Sequence, residues 1–280
     1  MTNKTKNNRI DPFVKWAGGK SQLLEQFRAL FPADDSYKRY IEPFMGGGAV
    51  FFFLQPKIGI ISDLNENLVN TYKVIKTNVD KLILILEDFQ KKHSKDFYLK
   101  LREEFNTKKI DEIRKAAILI YLNKTCFNGL YRVNKGGGFN VPFGQHKKFS
   151  FNKKQLINAS QLLKHTQIKN ESFEKILKNT KKGDFIYFDP PYYPVNETSK
   201  FTTYTKETFL EEEQKKLAEV FKKLDKKGCK VMLSNSDTKF IRDLYKNYKK
   251  YTATVGAKRF INCVGDKRGE ITELVVRNYK

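Results

Sequence analysis

Four apolar residues in a row, Phe185-Ile186-Tyr187-Phe188, run directly into Asp189-Pro190-Pro191-Tyr192. A short β-prone run closed by prolines predicts a buried strand that stops abruptly. Proline has a locked φ and no N–H, so neither Pro190 nor Pro191 can donate to a ladder. The Asp189 carboxylate and the Pro190 carbonyl are therefore left to accept hydrogen bonds from something else, and Tyr192 adds a flat face. A carboxylate, a carbonyl and an aromatic plate suit the exocyclic amino group of a planar base. The same residues also fit an Asx-type turn ahead of a proline-started helix, so the rest of the chain has to decide.

At 280 residues the chain can bury a large core, as one domain or as one domain carrying an insertion. Its formal net charge of +23 points to a polyanionic partner. The charge is also unevenly placed. No Asp or Glu occurs between Ile113 and Asn170, a span that holds Arg114, Lys115, Lys124, Arg132, Lys135, Lys147 and Lys148 among aromatic, Gly and Asn residues. A solvated face mixes signs, whereas a one-sign stretch of this make-up is the pattern of a nucleic-acid surface. Cys126, Cys229 and Cys263 are odd in number and far apart, and His93, His146 and His165 have no ligand spacing. Neither set predicts a disulfide frame or a metal site. Lys4, Lys6 and Arg9 precede no apolar signal region and no run reaches membrane-spanning length. The expectation is a cytoplasmic chain with reduced thiols and no membrane partner.

Apolar periodicity divides the chain into three zones. From Phe13 to about Asn70, Tyr40–Phe44 and Ile58–Ser62 read as strands on either side of a glycine turn and a short helix, the start of a βαβ unit. From about Glu66 to Lys164 the pattern is mostly helical, with a Gly-rich, helix-poor segment over Asn128–Ser150. From Gln167 onward strands and helices alternate again. Phe185–Phe188 and Cys229–Ser234 read as strands, Lys206–Leu224 and Thr238–Tyr248 as helices. Tyr251–Val255 and Ile271–Arg277 read as closing strands around a polar loop. The predicted class is an α/β sheet interrupted by a basic, helical insertion.

Glu42-Pro43-Phe44-Met45-Gly46-Gly47-Gly48 leads from a strand to a helix through glycines, which allow a sharp turn and a close ligand approach. It is not the G-x-G-x-x-G pattern of a pyrophosphate site. Asp63 closes the next strand, where an acid can hold a ribose hydroxyl pair. A tight turn and a helix-starting Asp are the plainer alternatives. Lys15-Trp16-Ala17-Gly18-Gly19-Lys20 contains the single Trp, with Ser21 as an N-cap candidate, and lacks the Walker spacing. In the insertion, Asn123–Asn134 and Phe139–Lys148 combine Arg, Asn and aromatics, types that read guanine, read adenine or wedge between base steps.

Taken in order, F-V-K-W-A-G-G-K, E-P-F-M-G-G-G-A, F-N-G-L-Y-R-V-N with F-N-V-P-F-G, and F-I-Y-F-D-P-P-Y resemble the Dam-type DNA adenine-N6 methyltransferases of the D12 class. The chain looks as much like the methylase of a GATC restriction system as like a solitary Dam enzyme. The resemblance implies a Rossmann-like S-adenosylmethionine-binding domain, 1–65 and 165–280, with an inserted helical target-recognition domain, 66–164. It implies that Trp16, Lys20, Asp63 and Asp189 contact S-adenosylmethionine in a pocket shaped by Gly46 and Gly48. It further implies that Asp189, Pro190 and Tyr192 hold a flipped adenine. Leu130 and Arg132 would read bases, Phe127 would wedge into the stack, and Asn128 and Lys147 would lie at the DNA. The tip Gly144-Gln145-His146-Lys147 departs from the family's G-R-Y-K. Double-stranded DNA is the implied partner, a cognate endonuclease would act separately, and no metal is required.

Adenine N6 is a poor nucleophile because its lone pair is conjugated into the ring. Acceptance of both its hydrogens by Asp189 and the Pro190 carbonyl favours a more sp3-like nitrogen aimed at the methyl, with direct in-line transfer. The rivals are methylation of cytosine N4 or of a glutamine amide on the same fold, an idle DNA-binding module, and a phosphoryl transferase, for which the Walker pattern is missing.

Overall fold

The computed structural model describes residues 10–107, 109–195, 209–258 and 270–280. After a short helix α1 (Leu24–Arg28), β1 (Tyr40–Glu42) leads through the glycine turn to α2 (Ala49–Leu54) and β2 (Gly59–Asp63). Then come α3 (Glu66–Lys91), α4 (Lys95–Asn106), α5 (Glu112–Thr125) and α6 (Lys153–Leu163) before β3 (Thr166–Asn170). The remaining elements are α7 (Ile176–Asn179), β4 (Phe185–Phe188), α8 (Glu211–Lys226), β5 (Lys230–Ser236), α9 (Lys239–Leu244), β6 (Ala253–Lys258) and β7 (Glu270–Arg277). The α/β class expected from the sequence is the one observed.

The strands form one sheet in the order β3-β2-β1-β4-β5-β7-β6. Neighbours from β3 to β5 are parallel, and β7 runs antiparallel to both β5 and β6. Every residue of β1 and of β4 is buried, as strands covered on both faces require. Strand alternation sorts their side chains into two cores. Tyr40, Phe185, Tyr187 and Met232 join Phe51, Phe52 and Ile75 on one side. Ile41, Ile186, Phe188 and Leu233 join Leu217, Phe221 and Leu224 of α8 on the other. From β1 the chain winds outward through β2 to β3, then returns to place β4 on the far side of β1. The carboxyl ends of β1 and β4 therefore flank a topological switch point, where such sheets open a crevice.

The stretch between β2 and β3 contains the long helices. Side chains of Asn65, Ser94, Asp111 and Asn152 cap α3, α4, α5 and α6. Helix α3 is broken at Asn78, where φ is −137°. Its first part serves as the crossover onto the sheet, with Lys76 Nζ donating to the Thr166 carbonyl at 2.8 Å. Beyond the break, Phe89 packs edge-on against Phe97 and Tyr121 of α4 and α5. Residues 130–152 have no helix, as their glycine content predicts. Among the described residues, no helix is long and apolar enough to cross a membrane.

Four local expectations need correction. Ser21 does not cap α1, because turns carry the chain to a helix that starts at Leu24 with no side-chain cap. Helix α8 starts at Glu211 and runs to Lys226; residues 206–208, also expected in it, lie outside the described residues. The helix expected over Thr238–Tyr248 ends at Leu244, where Tyr245 has φ of −110°, and passes into a 3-10 segment at Lys246–Tyr251. The final hairpin starts at Ala253, two residues later than expected. Cys263 and the polar loop at 259–269 lie outside the described residues, as do Lys4, Lys6 and Arg9.

Candidate active site and nucleic-acid interface

β4 ends at Phe188, and Asp189 stands just beyond it at the switch point. Lys20 arrives from the loop before α1 and is only 3% exposed. Its Nζ lies 2.8 Å from Asp189 Oδ1 and donates to the Gly18 carbonyl at 2.5 Å. Ser234 of β5 donates to the same Asp189 oxygen at 3.0 Å and shares a 2.8 Å hydrogen bond with the Tyr187 hydroxyl. The expectation that the Asp189 carboxylate stands free is thus half met. Oδ1 is consumed by Lys20 and Ser234, while Oδ2 accepts no hydrogen bond among the described residues. The Pro190 carbonyl likewise accepts none there, whereas the Pro191 carbonyl is taken by Gln214 Nε2 at 3.0 Å.

Burial pushes the Asp189 carboxyl above its ordinary range, and the Lys20 ammonium and the Ser234 hydroxyl pull it back. Lys20 therefore acts as the counter-ion that keeps a buried carboxylate charged. Behind it, Glu42 at the end of β1 is 2% exposed and accepts from the Tyr40 hydroxyl at 2.9 Å. Burial holds its carboxyl well above the usual range, against the Tyr40 hydrogen bond, and the charge of Asp189 adds to the rise.

Tyr192 is half-buried, with Lys20 Nζ 4.6 Å from its ring centroid and its hydroxyl donating to Glu273 Oε2 at 2.5 Å. The backbone beyond it is laced to β5. Tyr193 N–H donates to Asn235 Oδ1 at 3.1 Å, and Ser236 Oγ donates to the Tyr193 carbonyl at 2.6 Å. Sequence reasoning missed Ser234, Asn235, Ser236, Gln214 and Glu273. A signal existed for the first three: a polar Ser-Asn-Ser closes the apolar run of β5, as Asp189 closes that of β4.

The glycine turn is built as closely as its composition predicts. Gly46 and Gly48 have φ of 45° and 71°, in the left-handed region. A Cβ on Gly48 would clash with the Tyr72 hydroxyl, and one on Gly46 would meet Trp16 Cδ1 at 2.9 Å. Asp63 holds the turn, accepting from Gly46 N–H at 3.0 Å through one oxygen and from Asn65 N–H at 2.9 Å through the other. Trp16 stacks on Tyr131 with centroids 5.1 Å apart.

The remaining expected residues lie beyond α5. Phe127–Gly129 form a single 3-10 turn in which Asn128 has φ of 55°. Phe127 is 53% exposed. Asn123 ties this turn to the Trp16 loop, accepting from Lys15 N–H at 2.8 Å while donating to the carbonyls of Lys15 at 2.8 Å and Gly129 at 3.0 Å. Leu130 is partly buried. Arg132 donates through Nε to Asn140 Oδ1 at 2.8 Å and through Nη2 to the Asn140 carbonyl at 3.2 Å, which fixes its guanidinium plane. Asn128 and Lys147 are exposed, and His93 reaches the tip through a 2.9 Å hydrogen bond from Nε2 to the His146 carbonyl. Burial pushes the Cys126 thiol up to about 11, so no thiolate is on offer here.

The structure thus joins Lys20, Asp189 and Tyr192 in one cluster and Trp16, Gly46, Gly48 and Asp63 in another, at the carboxyl ends of adjacent strands. Phe127, Asn128, Leu130 and Arg132 share a neighbouring loop, while Lys147 lies on the tip that His93 holds. A family model described as D12 class N6 adenine-specific DNA methyltransferase matches residues 16–258. The chain is 47% identical to the type II methyltransferase M.MjaIII of Methanocaldococcus jannaschii, across 96% of this chain and 99% of that protein. It is 44% identical to the type II methyltransferase M1.LlaDCHI of Lactococcus lactis subsp. cremoris, with 99% of both chains covered. Identity to the DNA adenine methylase of Escherichia coli K12 is 33%, covering 96% and 95%.

Proposed function

Since this chain belongs to the D12 class of N6 adenine-specific DNA methyltransferases, we propose that it methylates adenine in duplex DNA, within GATC, after flipping the base out of the stack. The family implies S-adenosylmethionine as the donor, which when bound supplies an electrophilic sulfonium methyl. The residues present fit such a group. Left-handed backbone at Gly46 and Gly48 makes a sharp turn that glycine adopts readily, with Trp16 and Tyr72 packed against it. Asp63 keeps a lone pair for a hydroxyl donor beyond its backbone partners Gly46, Leu64 and Asn65. Trp16, Gly46, Gly48, Asp63, Lys20 and Asp189 would hold the donor.

The observation that carries the reading is the asymmetry of Asp189. One oxygen is anchored by Lys20 and Ser234; the other, with the Pro190 carbonyl, has no partner among the described residues. These acceptors would take the two hydrogens of N6 and leave its lone pair directed at the methyl, with Tyr192 stacking on the ring. Acceleration then comes from orientation and fixed charge rather than a covalent intermediate. Flipping costs a few kcal/mol; Phe127 would occupy the vacated stack and offset part of that. Leu130, Arg132 and Asn128 would read or position bases and Lys147 would meet phosphate, making 66–164 the target-recognition part and 1–65 with 165–280 the catalytic part. Two relatives carry type II names, which supports a restriction-modification setting with a separate endonuclease.

Transfer of tritiated methyl from S-adenosylmethionine to a duplex with one GATC site, beside duplexes with each base replaced in turn, tests this. Label only on the intact site is expected. Equal label on every duplex would remove the GATC assignment, and label on cytosine would replace adenine N6 by cytosine N4 as the amino group held at Asp189.

A further inference from the structure

We propose that Glu273, on β7, is a positioning residue for methyl transfer: it fixes the plane of the Tyr192 ring and hence of the base stacked on it. The inference rests on the reading that Tyr192 stacks on the flipped adenine. A tyrosine ring turns about two side-chain torsions, and the Asp-Pro-Pro-Tyr backbone controls neither. The Glu273 contact supplies that control. The Tyr192 hydroxyl donates to Glu273 Oε2 at 2.5 Å, a short hydrogen bond to a charged acceptor. The acceptor is rigidly mounted, since Glu273 pairs with Ser236 of β5 and Val255 of β6 in the interior of the sheet. Lys20 sits 4.6 Å from the ring centroid and 2.8 Å from Asp189. Ring, ammonium and reacting carboxylate therefore form one connected unit, and a ring free to turn would loosen the geometry around Asp189.

Glu273 also places a second negative charge near Lys20, so its role could instead be electrostatic. Glu273→Gln separates the two, because it removes the charge and keeps an oxygen that accepts from the hydroxyl. Single-turnover methylation of a GATC duplex would be measured for E273A, E273Q, Y192F, Y192A and the E273A/Y192F pair. E273A and Y192F are each expected to slow transfer roughly tenfold to a hundredfold, the range for a reacting group misplaced by about an ångström. The pair should be no slower than the worse single variant, because both changes delete one contact. E273Q should recover most of the wild-type rate. Y192F removes a single oxygen and keeps the ring, so it tests the contact even if E273A folds poorly. Wild-type rates in E273A and Y192F with an inactive Y192A would overturn this inference and leave the stacking reading standing. A wild-type rate in Y192A would overturn the stacking reading itself. E273Q as slow as E273A, or multiplicative losses in the pair, would assign Glu273 to the charge of Lys20 instead.

Discussion

The crevice around Asp189 and the loop from Phe127 to Lys147 are built on opposite terms. In the crevice, side chains hold side chains: Lys20, Ser234, Tyr187 and Glu273 form a buried network around Asp189 and Tyr192. In the loop, the backbone is held and the expected DNA-facing side chains mostly project. Asn123 ties down carbonyls, and Phe127, Asn128 and Lys147 remain exposed. Leu130, partly buried against the core, and Arg132, clamped by Asn140, are the exceptions. Chemistry on one small group calls for acceptors fixed before the substrate arrives. Contact with a long, hydrated polyanion needs a shaped backbone and side chains that can settle on it. The two regions meet where Asn123 joins the Lys15 backbone to the Gly129 turn, and where Tyr131 stacks on Trp16.

If that contrast is sound, crevice substitutions will act on methyl transfer itself, and loop substitutions will act on DNA binding and base opening. The largest effect is expected for Asp189→Ala, which removes an acceptor for the N6 hydrogens. Methyl transfer should fall on the order of a thousandfold or more, with duplex affinity in a gel-shift assay close to wild type. Retained turnover would dissolve the distinction between the regions. Lys20→Met comes next. Burial raises the Asp189 carboxyl and the Lys20 ammonium lowers it. In the proposed mechanism the ionised carboxylate is the working form, so activity should be lost as pH falls through its pKa. Removing the ammonium should move that acidic limb to higher pH and slow the reaction most on the acid side. Single-turnover rates across pH at saturating donor would show it, and an unmoved limb would separate Lys20 from the charge of Asp189.

Legibility divides along related lines. The end of β4 and the glycine turn could be read in the chain because proline and glycine act locally, on their own φ and N–H. The network behind Asp189 could not. Gln214 and Glu273 come from α8 and β7, and nothing about an ordinary Gln or Glu announces that it will face the crevice; only the polar Ser234-Asn235-Ser236 end of β5 left a mark in the chain. The end of α9 was not legible either: its periodicity continues past Leu244 to Tyr245, which packs against Phe221, but the backbone passes there into 3-10 geometry. The Asp189 carboxylate was recognisable as an acceptor, yet its half-occupied state depends on Lys20, which lies far away in sequence.

The loop variants test the other side of the contrast. Phe127 is 53% exposed, so Phe127→Ala should leave the melting temperature nearly unchanged. If the ring fills the gap left by the flipped base, its loss removes stacking worth roughly 1–3 kcal/mol. Methylation of an ordinary duplex should then slow by about tenfold, and a duplex mismatched at the target, which is cheaper to open, should recover much of that loss. Equal losses on both duplexes would mean that the ring does not act as a wedge.

The smallest effect is expected at Lys147, and it is the most specific to the comparison. A single exposed ammonium at a phosphate contributes little to affinity at physiological salt, but it leaves a thermodynamic signature. Lys147→Ala should make the slope of log affinity against log salt shallower by about 1, equally on GATC and non-GATC duplexes, with no change in the single-turnover rate once DNA is saturating. The same loss confined to GATC duplexes would turn Lys147 from a phosphate contact into a reader of bases. A changed rate at saturation would mean that the tip held by His93 reaches into the chemistry after all, and that the two regions are one.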